Sequence, residues 1–414
     1  MYAGSLTRRV TPQAALLAVL LATVQSLAVP VAPAHVSYTN TAGTEADVSW
    51  RTVAQAASTV DYGTTTSYGS TATGSAFLSA GAYQHHVKLT GLTPGTLYYY
   101  RYEGRQASFK TAAATPQPFT FVVPGDIQGW PNTNPSWQGC ANWLAANHDV
   151  AVWLPVGDLI GDTSQVSWDY LYRSSAALVQ KSVMMPMMGN HDCNGSYPQK
   201  YLDQFRTPPN GNATFANTYY AFEYGDALFV VMLNNYETDS WFPGAKAAQT
   251  TWLQQVLSAS TKQWKYVFMH DPDYLAAWAT AMDQNGVDVV FTGHTHSYGE
   301  SYRGSTFLYS TAGFSNEGTD MICVAAVNGS GMTVTTYNWR TGAVLHQTTV
   351  GTPSATAGSR AALSRTQAGS AARLSVTLTP SCDGVVVAGE HTQACDLRGR
   401  TLAAATGRTH AAQQ

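Results

Sequence analysis

Short apolar stretches alternate with turn residues from about His35 to Ala112, in segments such as ADVSWRT, STVDYG, HHVKLTGL and LYYYRYEG. A period of two, broken at short intervals by Gly, Pro and Ser, is the pattern of half-buried antiparallel strands. An all-β sandwich is expected, with Trp50 as a core Trp on an early strand. Residues 111–118, TAAATPQP, read as a linker. Beyond them the rhythm changes. Longer apolar runs alternate with amphipathic segments such as TWLQQVLSAS, as buried strands and their covering helices do in an α/β domain. That pattern continues to about Val350. From Gly351 the chain is rich in Ala, Ser, Thr, Gly and Arg, and only LSVTL and GVVVAG offer larger apolar side chains. Such a segment buries too little surface to offset the entropy of ordering, so a mostly disordered tail is expected, with material for one small hairpin. The expected plan is a leader over 1–28, a sandwich over 33–112, an α/β domain over 116–350 and a tail over 351–414, without internal repeats.

Composition adjusts this picture in two ways. Charged residues are only 11% of the 414 and the formal net charge is −3. No broad basic surface is implied, so a nucleic-acid partner is not expected. The N-terminus places Arg8 and Arg9 before an apolar run, Ala14 to Ala22, followed by small residues at Ser26-Leu27-Ala28 and Ala32-Pro33-Ala34. That is the layout of a secretory leader, and the run is short of the ~20 apolar residues that span a bilayer. The protein is expected to be secreted, or periplasmic in a Gram-negative cell, with no stable membrane insertion. Five cysteines leave at least one outside any disulfide, none forms a CxxC pair, and Cys382 and Cys395 are near enough for a local bridge. Asn194, Asn212 and Asn328 open glycosylation triplets.

Five apolar runs in the α/β segment end in residues able to bind a metal. FTFVVPGDIQ ends at Asp126 and Gln128, and VAVWLPVGD at Asp158. VMMPMMGNHD carries Asn190 and His191, KYVFMH ends at His270, and VDVVFTGHTH at His294 and His296. Ligands in open α/β sheets bind beyond the carboxyl ends of strands, so five neighbouring strands would gather these groups around one crevice. Two carboxylates, three imidazoles and two amide oxygens suit two divalent or trivalent cations of intermediate hardness. Asp158 is the natural bridge, since one carboxylate offers an oxygen to each ion. His191 beside Asn190 is placed to help a leaving oxygen rather than to bind metal. The order of the set, more than any one member, gives it specificity. Neither a Gly-x-Ser-x-Gly elbow nor a phosphate-binding P-loop is present. Asp162 and Asp169 read as helix caps, His148 as structural, and Trp130 and Tyr298 as packed aromatics or pocket walls.

The ordered motifs Gly125-Asp126-Ile127-Gln128, Gly157-Asp158, Gly189-Asn190-His191-Asp192, His270 and Gly293-His294-Thr295-His296 resemble the calcineurin-like metallophosphoesterases. HVKLTGLTPGTLYYYRYEG resembles the N-terminal domain of purple acid phosphatases, and Leu92, Pro94 and Tyr98–Tyr100 resemble the tyrosine corner of fibronectin type III-like domains. In that stretch His85 and His86 read as surface or strand histidines, with metal ligation as the alternative. The resemblance implies a four-layer α/β/β/α domain after the sandwich. It implies two ions (iron, manganese or zinc), one on Asp126, Gln128, Asp158 and His296, the other on Asp158, Asn190, His270 and His294. It assigns leaving-group assistance to His191 and implies hydrolysis of a small phosphorylated substrate, a monoester first. A phosphodiesterase or nucleotide pyrophosphatase on the same scaffold is the alternative, and a binding module with a vestigial site is a third. Three departures stand out. Gln128 replaces a frequent His, Gly161 stands where purple acid phosphatases carry a Tyr, and Asp271 to Gln284 contains no His.

Overall fold

Strand β6 (Ala82–Leu89) shows how the first domain is built. Val87 and Leu89 point into the sandwich, while Gln84 and His86 point the other way. It belongs to an antiparallel sheet ordered β1-β2-β6-β5, with β1 at His35–Tyr38, β2 at Ala46–Thr52 and β5 at Ser75–Ser79. Facing it is a second sheet, ordered β4-β3-β7-β8, from Ser70–Thr73, Thr59–Gly63, Leu97–Tyr102 and Arg105–Lys110. Trp50 lies in the core and stacks on His85 with ring centroids 4.7 Å apart. The Tyr98 hydroxyl accepts a 2.9 Å hydrogen bond from Thr93 N, five residues upstream, which is a tyrosine corner. The computed structural model describes residues 30–351 and 364–366, apart from 130–133, 163, 194–197, 235–237, 315–319 and 330. The leader, Trp130, Asn194, Cys382 and Cys395 therefore lie outside the described residues.

The second domain is a mixed α/β sandwich of two sheets. In the first, β9 (Phe119–Val123), β10 (Val150–Trp153) and β11 (Val183–Met184) are parallel. The sheet continues antiparallel through β18 (Met321–Val327), β19 (Met332–Asn338), β20 (Ala343–Val350) and a short β21 (Ser364–Thr366). The second sheet is ordered β12-β13-β14-β15-β17-β16. Its strands are Tyr220–Tyr224, Ala227–Val231, Trp264–Phe268, Val289–Thr292, Thr306–Ser310 and Gly299–Arg303 in that order. Strands β13, β14, β15 and β17 run parallel.

Aromatic side chains fill the space between the two sheets. The Phe121 ring meets Phe229, Tyr266, Phe268 and Phe291 at centroid distances of 5.2–6.2 Å. The outer faces are apolar too. Those of the first sheet are covered by α1 (Pro135–Asn147), α2 (Gln165–Ser174), α3 (Ala176–Val179) and α4 (Gln199–Gln204). The remaining helices are α5 (Thr238–Trp241), α6 (Ala245–Ala259) and α7 (Leu275–Gln284). Leu275 of α7 meets Val290 and Leu308 on the far face of the second sheet. Helix, sheet, sheet and helix thus form four layers.

The four layers are those that the family resemblance implies, whereas the residue pattern alone places the five ligand-bearing strands side by side. The structure corrects this: β9, β10 and β11 lie in one sheet, β14 and β15 in the other. Periodicity marks a strand as buried on both faces, and it cannot tell a covering helix from a covering sheet. No helix among the described residues is long and apolar enough to cross a membrane.

Candidate metal centre

Each ligand candidate sits in the turn just past its strand, where the backbone must bend sharply. Asp126, Asp158, His294 and His296 have φ of 49°, 52°, 67° and 51°. Left-handed backbone costs a β-carbon-bearing residue of order 1–3 kcal/mol, and such strain clusters at functional sites. Two glycines make the close approach possible. A β-carbon on Gly189 would lie 2.2 Å from Asp158 N, and one on Gly157 (φ 87°) 2.4 Å from His270 Nδ1.

The turns from both sheets meet. Asp158 and Asp126 are buried. His270 Nε2 is 3.3 Å from Asp158 Oδ1, and His296 Nε2 is 3.3 Å from Asp126 Oδ1. Asn190 Oδ1 is 3.0 Å from both His270 Nε2 and His294 Nδ1. Gln128 Nε2 donates to Asp158 Oδ2 at 3.2 Å, while Gln128 Oε1 is buried without a partner. Two groups of donors emerge: Asp158, His270 and His294, and Asp126, Asp158 and His296. Within each, the ligand atoms lie within 4.8 Å of one another. Asp158 is common to both.

The electrostatics follow from this crowding. Burial pushes the Asp158 carboxyl up, but the His270 charge and hydrogen bond, with His191, bring it to about 2. Burial lowers His270, yet Asp158 and Asp126 raise it to about 10. The hydrogen bond to Asp126 raises His296. Such a basic imidazole among carboxylates is a site where positive charge is strongly favoured. The second nitrogen, His270 Nδ1, is 2.7 Å from Val156 O, which fixes Nδ1–H as donor and turns Nε2 toward the site. His191 stands at the rim, 37% exposed, with Nε2 4.0 Å from Asp158 Oδ2 and Nδ1 3.3 Å from Gly161 O.

Three supporting residues were not assigned a role from sequence. Asp192 is buried, and its carboxylate accepts from Leu159 N, Ile160 N and Gly189 N at 2.9, 3.3 and 2.7 Å. It ties the Asp158 turn to the Asn190 turn. Asn234, after β13, accepts from His270 N at 2.6 Å and donates to Asp271 O at 2.6 Å. Asn134 caps α1 through Trp137 N and donates to Ile127 O, Gln128 O and Phe314 O. Each is a polar residue in a turn after or before an apolar run, a signal too common to stand out alone.

Other flagged residues stay away from the centre. Asp162 accepts from Ser164 N and Ser167 Oγ just before α2, but the residue that caps the helix is Ser164, whose side chain accepts from Ser167 N. Asp169 lies within α2 and pairs with Arg51 of the sandwich at 3.0 Å, so it is not a cap. His148 packs against Trp143 and Tyr337. Tyr298 packs on Tyr309 and His346 and donates to Glu300. His85 and His86 are strand residues of β6, and both are buried: His85 inside the sandwich, stacked on Trp50, and His86 on the opposite face, against Asp203 of the second domain. The three described cysteines, Cys140, Cys193 and Cys323, are buried.

Residues 119–298 match the family model described as calcineurin-like phosphoesterase, and residues 32–121 match the purple acid phosphatase N-terminal domain. Residues 119–298 thus carry a calcineurin-like phosphoesterase domain, preceded by a domain of the kind that precedes it in purple acid phosphatases. Purple acid phosphatase 22 of Arabidopsis thaliana is 31% identical over 246 residues, 52% of this chain and 52% of that protein. Phosphoenolpyruvate phosphatase of Allium cepa is 26% identical over 260 residues, 55% of this chain and 52% of that protein. The chain spans about half the length of the curated relatives it matches. Among solved structures, "GAP50 the anchor in the inner membrane complex of Plasmodium" aligns with a TM-score of 0.43 at 15% identity, covering 57% of this chain and 90% of that one.

Proposed function

We propose that this protein is a metal-dependent phosphoric ester hydrolase with two ions, acting first on phosphate monoesters. The observation that carries the reading is the pair of donor groups sharing Asp158. Asp126, Gln128, Asp158 and His296 would hold one ion, and Asp158, Asn190, His270 and His294 the other. The buried Gln128 Oε1, which has no hydrogen-bond partner, supports this fit, and so does the left-handed backbone at Asp126, Asp158, His294 and His296, since such strain clusters at functional sites. Mixed carboxylate, amide and imidazole donors suit iron, manganese or zinc. Ions bound there supply Lewis-acid charge for phosphoryl oxygens and lower the pKa of attacking water.

The chain's own residues supply the rest. Val156 O fixes the His270 tautomer, and Asn234 fixes its backbone. With Nδ1–H held by Gly161 O, a protonated His191 presents Nε2–H at the rim, where it can protonate the leaving oxygen. Gly161 offers no phenolate, so no charge-transfer colour is expected. The names of the relatives support the monoester side, whereas the absence of His from Asp271 to Gln284 favours keeping a diester as the alternative. Secretion rests on the leader-like N-terminus.

The test is hydrolysis of a chromogenic phosphomonoester and its diester analogue by metal-stripped protein. Manganese, iron, zinc or magnesium is then restored, with Asp158→Asn as control. Metal-dependent turnover that vanishes in the control is expected, fastest on the monoester. Folded protein that binds none of these ions would end the hydrolase reading.

A further inference from the structure

We propose that the N-terminal sandwich splints one half of the metal centre, and that Arg51 is the positioning residue through which it does so. The inference rests on the functional reading above. An isolated sandwich would give water the face of β1, β2 and β6 opposite its core. Here His35, Ser37, Asp47, Ser49, Arg51, Gln84 and His86 share that face, and all are buried. What covers them is α2, α4 and β11 of the second domain.

Each contact falls on an element that leads into or out of a ligand turn. Helix α2 leaves the Asp158 turn, β11 enters the Asn190 turn, and α4 leaves it. Arg51, 2% exposed, pairs with Asp169 of α2 at 3.0 Å and donates through Nη2 to Ser79 O at 3.1 Å. Ser79 Oγ in turn donates to Asp203 Oδ2 of α4 at 2.6 Å. His86 Nε2 is 2.9 Å from Asp203 O. His35 stacks on Tyr172 of α2 at 4.6 Å and meets the edge of Phe205, just past α4, at 5.2 Å. Ser37 Oγ donates to Met184 O of β11 at 3.0 Å.

Polar contacts of this kind are directional, and a buried guanidinium tolerates little displacement from its partners. The line α2–Arg51–Ser79–Asp203–α4 therefore sets the spacing of two helices. Asp192 then couples the turns those helices adjoin. Asp158, Asn190 and His191 are thus held in register by a domain that contributes no ligand.

Hydrogen–deuterium exchange and calorimetric titration with Mn2+ on the full-length, metal-stripped chain test this. The double variant Arg51→Met, Asp169→Leu removes both charges together, so neither is stranded. It should stay folded by circular dichroism, yet exchange faster over 159–174 and 189–205. Its Mn2+ affinity should fall about tenfold, as for loss of an outer-shell partner. Arg51→Lys should recover part of both losses. Val60→Ala, in the core behind the other sandwich sheet, should lower the melting temperature and change neither. Unchanged exchange and affinity in the double variant would overturn the proposal, as would an equal change in Val60→Ala. Wild-type protein that takes up no Mn2+ would overturn the hydrolase reading instead, and faster exchange confined to the double variant would still uphold the splint.

Discussion

This chain buries histidines in two places, and their surroundings push them in opposite directions. At the metal centre His270 faces two carboxylates and is raised to about 10. Burial, with the charge of His86 nearby, lowers His35 at the domain interface to about 3 and His85 inside the sandwich to about 4. His85 is bonded to the hydroxyls of Thr52 and Ser58 at 2.8 and 2.9 Å. His35 is stacked on Tyr172 and meets Phe205 edge-on, with the Gln204 backbone as its polar neighbour. Burial is equal, so burial does not mark the site. What marks it is the pairing of carboxylates with imidazoles, together with a buried Gln128 oxygen that has no donor. One cluster is built to accept a cation, the other to exclude one.

The largest effect expected from breaking this contrast is that of Asp158→Asn. Removing the carboxylate shared by both donor groups should cost about three orders of magnitude or more in turnover, and calorimetry should show metal uptake lost at both positions. Gly189→Ala tests the geometry rather than the charge. Its β-carbon would collide with Asp158 N and Oδ1, and a displacement near 1 Å should cost roughly a hundredfold in kcat/KM.

The interface cluster can be probed through pH. Below about 6.5 the unfolded chain binds a proton that folded His35 refuses until about 3. Stability from this group is therefore complete above 6.5 and falls as pH drops toward 3. Asp47 and His86 lie close enough to modulate the effect. For a fully neutral buried His the loss between pH 7 and pH 5 is roughly 2 kcal/mol. His35→Phe keeps the stack on Tyr172 and should flatten the pH dependence of the unfolding free energy, read from urea titrations, by that amount. The smallest change expected is from Gln128→His, which exchanges an amide for an imidazole. It should tighten Zn2+ at the Asp126 position about tenfold, read by competition with a chelator, while leaving the His270 position unchanged.

Much of this centre was legible because its ligands fall in short, ordered motifs at strand ends. Gly157-Asp158 and Gly189-Asn190 are readable since a turn that brings backbone against side chain needs glycine. Asp192, Asn234 and Asn134 were not, because hydrogen bonds to backbone from another turn leave no spacing in the chain. His86 lies on a strand as expected, but its burial was not legible, for a related reason. Strand alternation tells which residues share a face, and it assigns the polar face to water by default. Asp169 likewise has an unremarkable helical position, and only Arg51, 118 residues away, explains it.

The sequence by itself determined the strands, the class of each domain and the residue types gathered at the strand ends, because these follow from local periodicity and turn chemistry. Tertiary structure decided that the ligand strands divide between two face-to-face sheets. It also decided that Asp158 is common to two donor groups, and that the polar face of the sandwich is buried against α2 and α4. Those outcomes depend on contacts between segments far apart in the chain, where packing and desolvation act on whole surfaces rather than on any local pattern.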